Sequence, residues 1–529
     1  MHLHPRPTVL CVLSLCMVAC GDAAPGDEVG STGDSIGDTS DLDTSSSSDS
    51  GSSDSSSTDS SSDTDSSSDT DSSSSSDTDG CDCPDDGDPC TEDLCDQDNL
   101  CTHPLAPAGT VCRPSSGSCD LEEVCDGASP SCPADLWDSS CTCPENGPIA
   151  GYAEHDGLRA IDGSNFALVD TQAWAANQAL IDELGLAKVG LDDLDLNRTG
   201  TPPTGALQSF LSGMVDYQGG FEWQSGDQSV SYWIPQGLSG GTSPNHDWVI
   251  VSWHYDETHI ADDANPPASG DKGVRLSFAA VDDLGGDVPY RHVLLAQPDA
   301  QAGLASIDIH AGGLAFYPPY LYVADTSRGL RVFDTTQFLV TATTNCGDKI
   351  GKQGDAVCAY GYAYALPQVG AYFYPQGLPK PCKPVFSFLS LDQTSQPPSL
   401  ISGEYDNDVN VGIYSRLLRF PLDADSKLPL LGPTDAVRAS GAWYAGNRNI
   451  QGAAAIDDEF LLNATRYSGA LFTGAVDQAS TVYRASNGDW GWMPEGIHHD
   501  PDSGLVFIDT EGHANMPRLV FAADAASIP

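Results

Sequence analysis

Gln236-Gly237-Leu238, followed by Trp248-Val249-Ile250-Val251-Ser252-Trp253-His254, is the stretch that decides the fold, because the chain repeats its pattern. A polar residue and a glycine open a short apolar strand. A turn follows, then a second apolar strand ending in polar side chains. The phrase returns as His310-Ala311-Gly312-Gly313-Leu314 with Tyr320-Leu321-Tyr322-Val323-Ala324-Asp325-Thr326. It returns again as Gln451-Gly452-Ala453 with Phe460-Leu461-Leu462-Asn463-Ala464-Thr465, and as Glu495-Gly496-Ile497 with Leu505-Val506-Phe507-Ile508-Asp509-Thr510-Glu511. A copy without the glycine is Phe386-Ser387-Phe388-Leu389 with Leu400-Ile401-Ser402-Gly403-Glu404. Short strands recurring at intervals of tens of residues predict an all-β radial architecture, a β-propeller.

A third apolar run follows each phrase: Val274–Phe278, Leu330–Phe333, Leu417–Phe420, Thr481–Arg484 and Arg518–Phe521. Three strands plus a less regular fourth make a blade, so five blades are expected over 147–529. A sixth would have to come from 151–231, and six is the rival count. One helix is expected from Thr171 to Leu184, with Asp170 as its N-cap.

Upstream of the propeller the composition changes twice. Residues 1–19 read as an export signal, with an apolar run from Val9 to Val18 too short to span a membrane. Its end, Met17-Val18-Ala19-Cys20, resembles a bacterial lipobox with Met17 in place of leucine, which implies lipidation of Cys20 and a membrane partner through that lipid. Residues 20–80 are almost wholly Ser, Asp, Thr and Gly, a tract that has nothing to bury and is expected to be a disordered stalk. Fully extended it would reach about 200 Å. No Lys or Arg occurs between Arg6 and Arg113, so much of the formal charge of -54 sits there. Binding nucleic acid takes clustered Lys and Arg, so nucleic acid is excluded as a partner.

Residues 81–146 carry eleven cysteines and few aliphatic side chains. An exported segment of that kind holds its shape through disulfides, with zinc as the weaker alternative. Asp86-Gly87-Asp88-Pro89-Cys90-Thr91-Glu92-Asp93-Leu94-Cys95 resembles the Cys-rich repeats of large secreted myxobacterial proteins. Val111-Cys112-Arg113-Pro114 with Cys119-Asp120-Leu121-Glu122-Glu123-Val124-Cys125-Asp126-Gly127 is similar to the C-terminal half of disintegrin domains. The loop Ser115-Ser116-Gly117-Ser118 has no Arg-Gly-Asp, so integrin binding is not implied. With Cys346, Cys358 and Cys382 downstream, parity leaves two outcomes: one bridge joins the module to the propeller, or two thiols stay free. Cys346 with Cys358 is the natural local pair, which points Cys382 toward a module cysteine.

In a propeller the residue opening each innermost strand points toward the central axis, and the glycine after it permits close approach of the blades. Gln236, His310, Gln451 and Glu495 are therefore expected at one channel mouth, joined by His254 from a second-strand end, as a ligand site or as a plug of ordered water. Further polar residues end the second strands: Asp256, Asp325, Thr326, Glu404, Asp406, Thr465, Asp509, Glu511 and His513. Arg275, Arg331, Arg419 and Arg518 recur in the third strands and are expected to pair with these carboxylates across blades. Pro235-Gln236-Gly237, His310-Ala311-Gly312-Gly313 and Pro494-Glu495-Gly496 also resemble the strand starts of secreted bacterial propellers of no assigned activity, which implies fold alone.

Two functions fit. The first is a lipid-anchored surface protein that presents the propeller to an extracellular glycan or protein. The second is an extracellular hydrolase, glycosidase or phosphoesterase, either metal-assisted or carboxylate-dependent. In it Glu495, Asp325 and Glu404 serve as acid/base and nucleophile. Calcium is the cofactor such carboxylates would take, held by Glu495 and Asp325. Oligomeric state is not legible.

Overall fold

The computed structural model describes residues 83–528, apart from 116–118, 134–135, 139, 214–215, 264–269, 409–411, 433–434, 458, 466–469, 476–480, 484–492 and 513–516. The export signal, Cys20, the Ser/Asp tract and His513 lie outside the described residues.

Five antiparallel blades radiate from five inner strands. The first blade is Trp233–Thr242, Asp247–Tyr255, Val274–Ala280 and Val288–Asp299 in order outward. The second is Leu314–Tyr317, Tyr320–Asp325, Gly329–Asp334 and Tyr364–Phe373. The third is Phe388–Asp392, Ser399–Gly403, Arg416–Pro421 and Gly441–Tyr444. The fourth is Ile450–Ile456, Glu459–Ala464, Ala470–Ala475 and Thr481–Tyr483, so Thr481–Tyr483 is an outer strand and not the expected third. The fifth is Pro494–Asp500, Leu505–Thr510, Leu519–Asp524 and, from far upstream, Tyr217–Glu222.

Among the described residues, no sixth blade forms from 151–231. That segment supplies outer strands to blades already present: Arg159–Ala160 to the third, Ala167–Asp170 to the second and Tyr217–Glu222 to the fifth. An outer edge leaves a row of backbone donors and acceptors unpaired, and covering it satisfies them. Pairing Tyr217–Glu222 with the last long strand also closes the ring between distant parts of the chain. The helix runs from Trp174 to Glu183 and begins later than expected. Ala173 is its N-cap; Asp170 instead accepts the Trp174 indole N–H at 2.9 Å.

The repeating phrase is a β-bulge. The ladder between the first two strands breaks at Pro235/Leu238 in the first blade, Ile450/Gly452 in the fourth and Pro494/Ile497 in the fifth. There the extra residue, Gln236, Gln451 or Glu495, stands outside the register. Its glycine meets the next inner strand. A Cβ on Gly237 would come within 2.6 Å of Gly313, and one on Gly313 within 1.9 Å of Leu389 N. One on Gly452 would lie 2.8 Å from Glu495 O, and one on Gly496 2.3 Å from Leu238 N. No side chain fits at any of these junctions.

The second strand braces each bulge. Ser252 Oγ accepts the Gly237 N–H at 2.9 Å and donates to Ala311 O of the second blade at 2.7 Å. Asn463 Nδ2 donates to Glu495 O of the fifth blade at 3.1 Å. In the fifth blade Asp509 Oδ1 accepts the Gly496 N–H at 2.8 Å, while Oδ2 is buried without a hydrogen-bond partner. Complete burial raises the Asp509 pKa well above that of an ordinary aspartate.

The Cys-rich segment holds two small ladders, Leu94–Cys95 with Cys101–Thr102 and Val111–Arg113 with Glu123–Val124. Its buried side chains are largely cysteines. Disulfides join Cys83–Cys101, Cys90–Cys125, Cys112–Cys132 and Cys119–Cys141. Of the two parity outcomes the structure has the bridge: Cys143 is bonded to Cys382, and Cys346 to Cys358. Trp137 packs into the core of the second and third blades, with the Arg438 guanidinium 4.7 Å from its ring centre.

Candidate functional site

Inner strands all begin at one end of a propeller, and second strands finish there, so the bulges and second-strand ends share the channel mouth. His254 and His310 meet there, ring centres 4.5 Å apart. His310 is exposed at the mouth, with protein packed against part of its ring. This desolvation lowers its pKa, and burial with the neighbouring His310 pushes His254 down to about 3. Both imidazoles are neutral at physiological pH. Gln451 Nε2 donates to Glu495 Oε1 at 2.9 Å, joining the fourth and fifth blades. Gln236 folds back onto its own strand, Nε2 to Pro235 O at 3.0 Å. The sequence-derived set is thus two contacting pairs and a separate glutamine.

Asp325 and Glu404 are engaged elsewhere. Asp325 is 2% exposed and its Oδ2 accepts from Arg331 Nε at 2.9 Å and Nη2 at 2.8 Å. Glu404 is 3% exposed and grips Arg416 with both oxygens, at 2.8 Å to Nε and 2.6 Å to Nη2. A carboxylate clamped by a buried guanidinium has no open face for a substrate. The acid/base and nucleophile roles expected of Asp325 and Glu404 therefore give way to structural ones. The calcium pair fares likewise, since Asp325 is tied to Arg331 while Glu495 is bonded to Gln451 in another blade.

Arg331 and Arg419 pair within their own blades, not across blades as expected, while Arg275 pairs with Asp227 of the helix Ser225–Ser229 at 3.1 Å. Arg331 meets Asp325, and Arg419 meets Asp392 at 3.1 Å, each in its own blade. Arg518 donates to carbonyls: Glu511 O at 3.1 Å, Gly512 O at 3.3 Å, Asp227 O at 3.0 Å and Val230 O at 2.7 Å.

Two other mouth carboxyls are shifted in opposite directions. Burial raises the Glu511 pKa, with Asp256 adding to the rise and Arg518 opposing it. Burial also acts on Asp256, but the Thr258 hydroxyl at 2.6 Å, the Thr258 amide at 2.8 Å and His259 Nδ1 at 2.8 Å outweigh it and lower the pKa. Neighbouring carboxyls pushed apart in this way are the pattern of a general acid beside a general base. A second pair lies over the first blade, where Asp271 shares a side-chain hydrogen bond with Asp308. Burial and that bond push Asp271 up to about 7.

Beside the mouth, Trp253 Nε1, Ser277, His292 and Asp227 form a chain of hydrogen bonds, with Ser277 Oγ to His292 Nδ1 at 2.8 Å and His292 Nε2 to Asp227 Oδ1 at 2.9 Å. Ser277 is fully buried, so this serine–histidine–aspartate order is a structural relay and not a nucleophilic triad. Asp227 was not singled out in the sequence. It sits in the short helix Ser225–Ser229, and its partners Arg198 and Arg275 lie 29 and 48 residues away in sequence, so no local signal marked it.

No protein-family model matches the chain. Part of the chain is 51% identical over 47 residues to a disintegrin and metalloproteinase domain-containing protein B of Aspergillus fumigatus, 8% of this chain and 6% of that protein. Another match is 41% identical over 73 residues to a disintegrin and metalloproteinase domain-containing protein 12 of Mus musculus, 11% of this chain and 8% of that protein. The chain thus spans less than a tenth of either curated relative. Among solved structures, a glutaminyl cyclase of Myxococcus xanthus aligns at 12% identity over 56% of this chain and 92% of that one, with a TM-score of 0.27. A GH43_1 enzyme from Xanthomonas citri aligns at 11% identity over 60% and 93%, with a TM-score of 0.29. The GH43 β-xylosidase/α-arabinofuranosidase CoXyl43 from a compost metagenome aligns at 13% identity over 56% and 92%, with a TM-score of 0.28.

Proposed function

We propose that the chain is an exported, carboxylate-dependent hydrolase of an extracellular glycan, with its acid and base at the propeller mouth. The observation that carries this reading is Glu511 and Asp256 held within electrostatic reach of each other in opposite protonation tendencies. Glu511 keeps its proton for the leaving glycosidic oxygen, and ionised Asp256, oriented by His259, takes one from the attacking water. Neutral His254 and His310, with the part-exposed Gln451, supply hydrogen-bonding groups for sugar hydroxyls, and the buried Glu495 holds Gln451 in place. A module that only presents a surface would not need two carboxyls tuned apart.

The apolar run before Cys20, the acidic tract and the disulfides support an exported protein, lipid-tethered to the cell envelope, whose propeller stands clear of the membrane. The test is turnover by the purified full chain on a panel of aryl glycosides and polysaccharides. Glu511→Gln and Asp256→Asn should each cut kcat at least about 100-fold with melting temperature unchanged. Absence of turnover on the whole panel, or variants as active as the parent, would refute the reading.

A further inference from the structure

The chain has 22 Lys and Arg against 76 Asp and Glu, yet four of those cations line one cavity beside the mouth. Arg198, Lys272, Arg275 and Arg291 surround about 540 Å³, against the two carboxylates Asp227 and Asp263. That volume falls within the usual range for small-molecule sites.

The positive charge is only partly balanced. Asp227 is shared by Arg198 at 2.9 Å, Arg275 at 3.1 Å and the neutral His292. Arg291 donates to Asp195 O at 3.0 Å, lies 4.9 Å over the Tyr364 ring and faces the exposed Asp195 carboxylate at 3.7 Å, and Lys272 Nζ donates to Gly347 O at 3.3 Å. Arg275 is 5% exposed, lies between the Trp233 and Trp253 rings at 4.8 and 4.6 Å, and has its Nε without a hydrogen-bond partner. The excess is felt by the groups nearby. His292 is pushed down to about 3 by burial and then Arg275, Arg518 to about 10 by the same two causes, and Arg291 is lowered by burial with Arg198 adding to it. Burying cations that repel one another costs stability, and a bound anion offsets that cost.

The walls say what carries the anion. Tyr232, Trp233 and Tyr362 line the cavity with aromatic faces, while Asn197 and Ser229 add hydroxyl- and amide-type hydrogen-bonding groups. Aromatic faces, small polar groups and a cationic floor together suit a sugar ring bearing a carboxylate or sulfate. We infer that this cavity is a binding site for an anionic saccharide, its charge seated among Arg198, Arg275, Arg291 and Lys272. The site does not depend on catalysis at the mouth, because it is defined by charge and shape alone.

The test titrates the full chain with a trigalacturonate, a sulfated trisaccharide and a neutral trisaccharide, reading indole fluorescence and heat. Trp233 lines the cavity and reports occupancy. Expected is saturable binding of at least one anionic sugar, at least about 10-fold tighter than the neutral one, weakening severalfold or more as salt rises. Whichever anionic sugar binds tighter identifies the charged group. Arg198→Gln with Lys272→Gln, both at the rim, should weaken binding at least about 10-fold while the variant still unfolds cooperatively and any glycan turnover stays as in the parent. Equal affinity for the neutral sugar, no salt dependence, no binding at all, or full affinity in the double variant would each overturn the inference. Loss of turnover in Glu511→Gln with saccharide binding intact would separate the two sites.

Discussion

Burial holds the Asp509 pKa well above that of an ordinary aspartate, so replacing it with asparagine should raise stability above mildly acidic pH. Its position in the fifth blade matches Ser252 in the first and Asn463 in the fourth, where a donor reaches the next inner strand. Asp509 Oδ1 already accepts the Gly496 N–H, and Oδ2 is buried with no hydrogen-bond partner, so an ionised carboxylate there would leave a charged oxygen unsatisfied. The unfolded chain sheds this proton near 3.8, whereas the folded chain keeps it to a much higher pH. Folding therefore takes up a proton above 3.8. The group's stabilisation is complete below that value and is lost as pH climbs toward the raised native one. The loss is about 1.4 kcal/mol per pH unit across that window. Asparagine offers a permanent donor and acceptor of the same shape and pays nothing for a proton. The difference between Asp509→Asn and the parent should accordingly be within about 1 kcal/mol near the acid end and grow in favour of asparagine by about 1.4 kcal/mol per unit as pH rises. Urea unfolding followed by indole fluorescence, at several pH values from about 5 to 8, measures it. A difference that stays flat with pH, or an asparagine variant less stable than the parent at neutrality, would show that Asp509 is ionised and refute the reasoning.

Two further predictions concern groups whose roles the tertiary structure reassigns. Glu404→Ala should cost about 3–5 kcal/mol, because it leaves Arg416 buried without its carboxylate, yet spare kcat on any glycan substrate. A large fall in kcat with an unchanged melting temperature would return Glu404 to the chemistry. Removing the Cys143–Cys382 bridge by paired serine substitutions should cost about 2–5 kcal/mol, since it links positions 239 residues apart. Non-reducing peptide mapping that fails to find this linked pair would refute the connectivity.

Much of the architecture was legible because a bulge followed by glycine is a local requirement that leaves a mark at each occurrence. Gly237, Gly313, Gly452 and Gly496 are glycines because neighbouring backbones leave no space for a Cβ, and that necessity is written in one residue type. The cysteine parity was similarly readable: an odd count on each side left either a cross-bridge or free thiols. The outer strands were not legible. Arg159–Ala160 and Tyr217–Glu222 are short, and nothing in their own composition names the blade whose edge they cover.

The site divides along the same line. Alternation and repetition placed Gln451, Glu495, His254 and His310 at one end of the barrel of strands, since register alone dictates which end a strand's first residue occupies. Which carboxylates remain available there depends on partners brought from elsewhere in the chain. Arg416 disarms Glu404 and Arg331 disarms Asp325, while burial raises the pKa values of Asp509 and Glu511. Desolvation and ion pairing act through space over a few ångströms, and the cations of the side cavity come from positions as far apart as Arg198 and Arg291. The amino-acid order by itself determined a ring of bulged strands behind a stapled, acidic N-terminal region. Only the tertiary structure decided which charges are spent on holding that ring and which are left to act on a ligand, because that division depends on neighbours that folding alone assembles.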